Sequence, residues 1–328
     1  MSAPRSGPYT VKDCLDDYVE WMGEKRKSSA DARYRANGII IPDLGDIDCE
    51  KLTADRIKRW LHAAAKKPPR LRSKNGEPQK YRVLHNDDES KRRRQATLNR
   101  TLTVLKAALN RAWRDKKISS DSEWRRVEPF EAVDGARPRY LKVEEAKRLL
   151  NASPLAFRRL VQAALATGAR YGELAVLNVN DFNSDSDTLH IRTSKSGKGR
   201  HVYLTTEGVS LFGALTAGRS ADEPLLVKDD GSRWATSHQI RPMKEACAAA
   251  KVKGATFHCL RHTYASLAIM NDAPLFVVAK NLGHADTRMV EKHYGHLASS
   301  YMADAIRAGA PRFGFKLDKK VVELRPGK

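Results

Sequence analysis

Apolar residues repeat at helical spacing through much of the first third of the chain. The first repeat consists of Val11, Leu15, Tyr18, Val19 and Met22. This spacing of about 3.6 residues predicts a helix, and Thr10 is placed to cap its N-terminus. Further helices are predicted over residues 29–40 and from Thr53 onward, and Pro42 and Gly45 predict a break between them.

The helical pattern then stops and returns at Ala96, from which leucines recur as far as Lys117. The intervening residues 66–95 contain three prolines, eleven Lys or Arg and four Asp or Glu. They show neither helical nor strand periodicity, which predicts a basic insertion. Residues 9–118, including this insertion, are therefore predicted to form a small all-helical domain behind a disordered N-terminus at residues 1–8.

A second domain is predicted after a linker at residues 119–139, which lack a clear period. Residues 140–308 combine helical repeats with two alternating segments on either side of the turn sequence SKSGKG, and this pattern predicts a β-hairpin. Residues 309–328 are expected to form a basic tail. The predicted fold is mainly α with a small β-sheet, in which a helical domain is followed by a mixed α/β domain.

The charge balance narrows the choice of partner. Lysine and arginine outnumber aspartate and glutamate by 60 to 39, so the formal net charge is +21. An excess of this size favours a polyanionic partner, most simply DNA, although a generally basic or RNA-associated protein stays open. The candidate DNA contacts are Arg92, Arg93, Arg94, Lys198 and Arg241.

Other features of the sequence bear on the compartment. No apolar run approaches the length of a membrane span, and the N-terminus lacks the apolar core of a secretory signal. The four cysteines are scattered, which fits a reducing compartment. We therefore expect a cytoplasmic protein without membrane association.

Residues 256–297 hold half of the chain's ten histidines, together with an arginine in an apolar setting, Arg261, and a late tyrosine, Tyr294. If the start of this segment is helical, His258, Arg261 and His262 project from one face. Histidine and arginine donate to phosphate oxygens, and a tyrosine hydroxyl can act as a covalent nucleophile. The residue types favour phosphoryl transfer to Tyr294. A helical bundle with satisfied polar side chains is the alternative.

Two further positions complete this candidate site. Gly283 is placed to end a helix in the left-handed conformation, which would hold His284 in a fixed turn. A zinc site is a weaker interpretation. His258 and His262 have the spacing of a zinc-protease helix, but Cys259 occupies the place of that motif's glutamate. No metal is therefore expected.

Five short motifs resemble the tyrosine recombinase, or phage integrase, family. In chain order they are ATGARYGEL, TLHIRTSKSGKGRHVYL, HCLRHTYAS, LGHAD and HYGHL. The catalytic residues that the resemblance implies are Arg170, Lys195, His258, Arg261, His284 and Tyr294. Glu173 would either hold Arg170 or His258 in place or be a first-turn helix acid without a catalytic role, and Lys198 is the alternative to Lys195.

The resemblance also implies an activity and its partners. Residues 9–118 would form the family's core-type DNA-binding domain, and residues 140–308 its catalytic domain. The family cleaves and rejoins DNA through a 3′-phosphotyrosyl intermediate and needs no cofactor. The implied partners are double-stranded DNA at attachment or core sites, further copies of the chain in a homotetramer on DNA, and a host DNA-bending accessory factor.

The basic insertion at residues 66–95 favours an integrase of a phage, prophage or other mobile element. A chromosome or plasmid dimer resolvase of the same family is one alternative. A type IB topoisomerase and a catalytically inactive DNA-binding relative are the others. In each case the protein would act at the nucleoid, or in the host cytoplasm if a phage encodes it.

Overall fold

The chain folds into two compact units, Met1–Ala136 and Arg137–Lys328. The computed structural model describes residues 7–25, 28–71, 73, 76–133, 139–192, 199–295 and 309. Over these residues the fold is mainly helical with a small sheet, as predicted. None of the helices in these ranges is both long and apolar enough to cross a membrane.

Helices are the regular elements of the described part of the first unit, and the described residues between Lys66 and Asp88 are not helical. Its α-helices are Val11–Lys25 (α1), Ser29–Arg35 (α2), Ile41–Leu44 (α3), Ala54–Lys66 (α4), Asp88–Arg114 (α5) and Ser122–Arg125 (α6). A π-helical turn, Ala36–Ile40, joins α2 to α3, and a 3₁₀ turn, Cys49–Lys51, precedes α4. The predicted cap is present at Thr10, whose hydroxyl accepts a hydrogen bond from the Asp13 N–H, and the Thr53 hydroxyl caps α4 by accepting from the Arg56 N–H. The apolar stripes of α1, α4 and α5 meet in one core.

Two boundaries in this unit differ from the prediction. Pro42 does not break the helical path, because it lies in the first turn of α3, where a missing N–H leaves no bond unmade. Helix α5 begins at Asp88, eight residues before the predicted start at Ala96, and the Asp87 carboxylate caps it by accepting from the Ser90 N–H. The end of the basic insertion is therefore helical. The apolar stripe is hidden there because Arg94 takes a core position.

The predicted linker at residues 119–139 begins too early. Trp124 and Val127 are buried in the core of the first unit, and the Trp124 indole donates to the Asn110 side chain at 2.7 Å. Lys106 donates to the Val127 carbonyl at 2.6 Å. A four-residue helix is too short to show a period, so this packed segment resembles a linker in the sequence.

The second unit combines helices with one antiparallel sheet. Its described α-helices are Val143–Asn151 (α7), Leu155–Thr167 (α8), Tyr171–Leu174 (α9), Thr206–Thr216 (α10), Ile240–Ala249 (α11), Phe257–Met270 (α12), Leu275–Leu282 (α13) and Arg288–Tyr294 (α14). The described strands are Phe182–Asn183 (β1), Thr188–Ile191 (β2) and Arg200–Tyr203 (β3), in the order β1-β2-β3. The predicted hairpin is confirmed as β2 and β3.

The main core of this unit joins the sheet to α7 through α12, whereas α13 and α14 pack in a smaller cluster against α12. Leu189 of β2 lies opposite Val202 of β3, and both side chains are fully buried. They join Phe157 of α8, Phe212 of α10 and Leu260 of α12. The pairing of α12 with α8, and of α13 with β3, brings several helix ends to one place. The predicted helix at residues 297–308 and the rest of the predicted tail, apart from residue 309, lie outside the described residues.

Candidate active site

Two helix ends and one buried arginine form the centre of the site. Gly168 ends α8 and Gly283 ends α13, both in the left-handed conformation, with φ of 63° and 74°. Arg261 of α12 is 4% exposed and donates to the carbonyls of Gly168 and Leu282, each at 2.9 Å. A helix C-terminus carries partial negative charge, so these carbonyls suit a guanidinium. Arg261 therefore ties three helices together at one point.

The backbone at Gly168 lies very close to side chains of α12 and α13. A Cβ added there would lie 2.5 Å from the ring of Tyr264 and 2.6 Å from Leu282. Any larger residue would separate α8 from α12 and α13, and would move the carbonyl that holds Arg261. The ATG in the first motif is thus explained by packing and by backbone conformation together.

His284 follows the end of α13 and contacts the same arginine. Arg261 Nη2 lies 2.9 Å from His284 Nε2. A guanidinium has no acceptor, so Nε2 must carry the lone pair and the ring proton lies on Nδ1. Partial burial and the nearby positive charge of Arg261 lower the pKa of His284 to about 4. His284 is therefore neutral at pH 7 and offers an Nδ1–H donor.

Glu173 organises two further arginines. Its carboxylate accepts from Arg170 Nη1 at 2.9 Å and from Arg200 Nη2 at 2.8 Å. It also accepts from the Arg170 backbone N–H at 2.9 Å, at the start of α9. Burial alone would raise the pKa of Glu173, but the hydrogen bonds from Arg200 and Arg170 hold it below its usual value. Glu173 therefore holds Arg170, as expected, and its second partner is Arg200 rather than His258.

Arg200 was missed by the sequence analysis. It begins β3 and is 10% exposed in its side chain. Beyond Glu173 it donates to the Asn281 carbonyl at 3.0 Å, and the Asn281 side chain accepts from the Tyr203 N–H at 2.8 Å. These bonds fix the hairpin strand to α13. The signal was available, because Arg200 directly follows the glycine turn SKSGKG, but the sequence analysis assigned the role of this turn to its lysines.

The resulting charge distribution favours an anion. Three guanidinium groups, those of Arg170, Arg200 and Arg261, surround one carboxylate in the described part of the site. Burial and the charge of Arg170 lower the pKa of Arg261 to about 10. In the described chain, three hydrogen bonds leave two of its five N–H groups for another acceptor. A phosphate group is a suitable occupant because it matches both charge and fork geometry.

Tyr294 lies at the end of α14 and is 5% exposed. Its ring packs in a small cluster with Ala265, Ile269 and Val290, and its hydroxyl contacts His262 Nδ1. Burial raises the pKa of Tyr294 to about 12, although the charge of Arg261 opposes the rise. The tyrosine therefore reaches the site within one copy of the chain.

His258 lies in the first turn of α12, where the residue keeps an exposed surface although its ring is partly buried. Its ring is 4.8 Å from that of His262, measured between centroids. Partial burial and the charges of Arg261 and Arg170 lower the pKa of His258. The structure thus brings together five of the six residues that the resemblance implied. The sixth, Lys195, lies outside the described residues, as does its alternative Lys198.

The four arginines predicted as DNA contacts fall into different environments. Arg94 is 7% exposed and donates twice to the Ala64 carbonyl at the end of α4, at 2.8 Å and 3.2 Å. That prediction is wrong, because its guanidinium lies in the interior. Arg92 is partly exposed and pairs with Glu89. Arg93 and Arg241 are highly exposed, and they remain predictions.

Comparison with known proteins supports the same assignment. The model of the phage integrase family matches residues 139–300. XerA of Saccharolobus solfataricus, a tyrosine recombinase, is 24% identical over 76% of this chain and 76% of its own. The integrase of Haemophilus phage HP1 is 27% identical over 89% of this chain and 79% of its own. Two further curated recombinases are matched over 62% and 59% of their length.

The fold is similar to that of solved integrases. A lambda integrase tetramer bound to a Holliday junction superimposes with a TM-score of 0.67 at 17% identity, over 95% of this chain and 81% of that chain. The family match covers the segment that contains the five converging residues. The chain therefore belongs to the phage integrase family of tyrosine recombinases, enzymes that break and rejoin DNA.

Proposed function

We propose that this chain is the site-specific recombinase of a phage, prophage or other mobile element, and that Tyr294 is its nucleophile. One observation carries the proposal. The hydroxyl of Tyr294 contacts His262 on the helix that also carries Arg261, whose guanidinium contacts His284 and whose positive charge acts on the tyrosine. A nucleophile beside unneutralised arginine donors is the arrangement that phosphoryl transfer from a diester requires.

In the proposed reaction, the Tyr294 oxygen attacks a phosphorus atom of the DNA backbone and displaces the 5′-oxygen. A 3′-phosphotyrosyl bond forms and a free 5′-hydroxyl is released. Arg170, Arg261 and the Nδ1–H of His284 donate to the non-bridging oxygens as negative charge builds. The loss of one such donor typically costs about 100-fold or more in rate.

The departing 5′-oxygen needs a proton, which we assign to Lys195 on the hairpin, with Lys198 as the alternative. The bond energy of the diester is kept in the phosphotyrosyl ester. A 5′-hydroxyl from another strand can therefore reverse the step and rejoin the DNA without a nucleotide. No metal ion is needed in this scheme, because the arginines and His284 supply the charge stabilisation.

The proposed partner is duplex DNA, bound by both units. Exposed cations of the first unit, such as Arg93, would contact phosphates and position the duplex rather than read its sequence. Because the similar lambda integrase is a tetramer on a Holliday junction, we propose the same assembly for this chain on DNA. Action in the cytoplasm follows from the location of its substrate.

A dimer resolvase is the second candidate, since XerA of Saccharolobus solfataricus is among the relatives. The HP1 integrase aligns with more of the chain, which favours the mobile-element role. The two roles differ in their DNA sites. An integrase joins two different duplexes, whereas a resolvase recombines two copies of one site. Recombination between the DNA ends that flank the gene and a separate target would support the integrase.

The activity itself is tested by trapping the covalent complex. Nicked duplexes release a short 5′-hydroxyl strand after cleavage, so the phosphotyrosyl complex accumulates and migrates slowly in a denaturing gel. Wild-type protein should form this complex, and Tyr294→Phe should form none while it binds the same duplex with unchanged affinity. A complex that persists in Tyr294→Phe would reject Tyr294 as the nucleophile.

A further inference from the structure

The Tyr294 hydroxyl has a proton that must leave during attack, and the structure places one residue against it. Among the described side chains, the hydroxyl contacts His262 at Nδ1. The two rings lie 5.9 Å apart between centroids and are inclined by 50°. His258, the histidine of the implied catalytic set on the same helix, makes its ring contact with His262 instead.

The position of His262 follows from the packing of α12 against α14. Tyr294 and Val290 of α14 pack on Ala265 and Ile269 of α12. His262 lies one turn before Ala265, so the same packing that buries the phenol ring aims the hydroxyl at the imidazole. The contact is therefore built into the helix pairing.

We propose that His262 accepts the proton of Tyr294 during attack and returns it during rejoining. This inference rests on the proposed function and assigns a base to that reaction. It also assigns His258 a different task. The partly exposed ring of His258 would donate to a phosphate oxygen beside Arg261 and Arg170.

The protonation state of His262 suits this role. Burial lowers the pKa of His262 to about 4, and the charged or titratable groups that face it add to this. These groups are His258 and Arg261 on its own helix and His293 on α14. The imidazole is thus neutral at pH 7, with a lone pair for the phenol proton. A phosphate monoanion bound beside Arg261 would raise the pKa of His262 and strengthen it as a base.

The O–H bond of Tyr294 breaks and its proton passes to His262 Nδ1, which becomes imidazolium. The phenol oxygen forms a bond to phosphorus, and the bond from phosphorus to the 5′-oxygen breaks. The 5′-oxygen takes a proton from Lys195. In rejoining, Lys195 takes the proton of the attacking 5′-hydroxyl and His262 returns its proton to the departing Tyr294 oxygen.

The test measures single-turnover cleavage of a nicked duplex by the full-length chain. The duplex carries the site found by sequencing covalent complexes formed on DNA that flanks the gene. In one version, sulfur replaces the bridging 5′-oxygen. A thiolate leaves without a proton because a thiol is far more acidic than an alcohol. The substitution therefore removes the need for an acid and keeps the need for a base.

We expect His262→Asn, which can accept a hydrogen bond but not a proton, to cleave at least about 100-fold more slowly on both duplexes. Lys195→Ala should be slow on the oxygen duplex and recover on the sulfur duplex. His293→Asn is the matched control, because His293 neighbours His262 at 6.5 Å between ring centroids. It should lose far less activity than His262→Asn, because it removes one of the groups that lower the pKa of His262 and leaves the base itself in place. Added imidazole should partly restore His262→Ala in proportion to the neutral form.

Several outcomes would overturn the inference. A His262→Asn rate equal to wild type would do so, as would recovery of that variant on the sulfur duplex, which would make His262 an acid. DNA affinity and thermal unfolding, measured on each variant, separate a chemical loss from misfolding. If His262→Asn misfolds, the imidazole dependence of His262→Ala decides. Adducts in Tyr294→Phe would instead reject the proposed nucleophile and with it this inference.

Discussion

In the part of the chain that the structure describes, each unit contains one arginine buried between helices, and the two differ in what surrounds them. Arg94 in the first unit is 7% exposed and Arg261 in the second is 4% exposed. Both donate to carbonyls at helix ends, those of Ala64 in one case and of Gly168 and Leu282 in the other. Burial lowers the pKa of both guanidinium groups. By burial and backbone bonding alone, the two arginines look alike.

The surroundings separate them. Arg94 is surrounded by the apolar residues of α4 and α5, and its hydrogen bonds to the Ala64 carbonyl connect the two helices. Arg261 lies among Arg170, Arg200 and His284. Of the described carboxylates, Glu173 is the one that offsets this positive charge at Arg261. The comparison teaches that a buried arginine marks a ligand site when other cations lie beside it without equal negative charge.

The largest expected difference between the two buried arginines is in the rate of DNA cleavage. Arg261→Lys keeps a positive charge but cannot reach two carbonyls and His284 in one plane. It should therefore slow single-turnover cleavage by about 100-fold or more. Arg94→Lys should cleave at the wild-type rate under conditions where it is folded. Equal losses in the two variants would show that Arg261 acts only through the fold.

Glu173 tests the second unit through pH. Its folded pKa is lowered by Arg200 and Arg170, so its contribution to stability is present above its unfolded pKa, about 4.3, and is lost as pH falls through the folded value. Glu173→Gln should destabilise the chain by about 2 kcal/mol at pH 7. The difference from wild type should shrink below pH 4, measured by denaturant unfolding. A constant difference would contradict the assigned ion pairs.

Arg94 should matter for stability alone. Arg94→Met keeps the aliphatic stem but leaves the Ala64 carbonyl without its donor, which should cost about 1–2 kcal/mol in the free energy of unfolding. Its DNA affinity and its salt dependence should equal those of the wild type. A weaker, less salt-dependent complex with unchanged stability would return Arg94 to the DNA interface.

Arg93 should give the smallest effect and sharpens the contrast with its neighbour. Its side chain is 72% exposed and pairs with Glu89 on one turn of α5. If Arg93 lies on the DNA backbone, Arg93→Ala should reduce the slope of log affinity against log salt by about 1. Arg241→Ala offers the same test on α11. An unchanged slope would leave either arginine as a solvated side chain.

The sequence was sufficient for most of the catalytic geometry but for less of the first unit. Spacing on α12 placed Arg261 on the site face, and Gly283 predicted the turn that holds His284. The ion pair of Arg200 with Glu173 and the contact of His262 with Tyr294 were not predicted, because both depend on which elements pack together. A single sequence shows which side chains share a helix, but it does not show that β3 docks on α13.

The errors in the first unit have a common physical cause. A periodicity test recognises apolar residues, and it fails where a charged side chain occupies a core position, as Arg94 does at the start of α5. It also fails where an element is shorter than its own period, as at α6. Both failures made packed segments look like loops, first residues 88–95 at the end of the predicted insertion and then residues 122–127 within the predicted linker.

The most direct test of the central claim is to locate the phosphotyrosyl bond by mass spectrometry. Trypsin cleaves after Lys292 and Arg307, so the adduct peptide carries both Tyr294 and Tyr301. Fragmentation of this peptide, after nuclease trimming of the trapped DNA, should place a 3′-linked nucleotide on Tyr294. A nucleotide on Tyr301, on any other residue, or linked through its 5′-phosphate would contradict a site in which His262, Arg261 and His284 serve Tyr294.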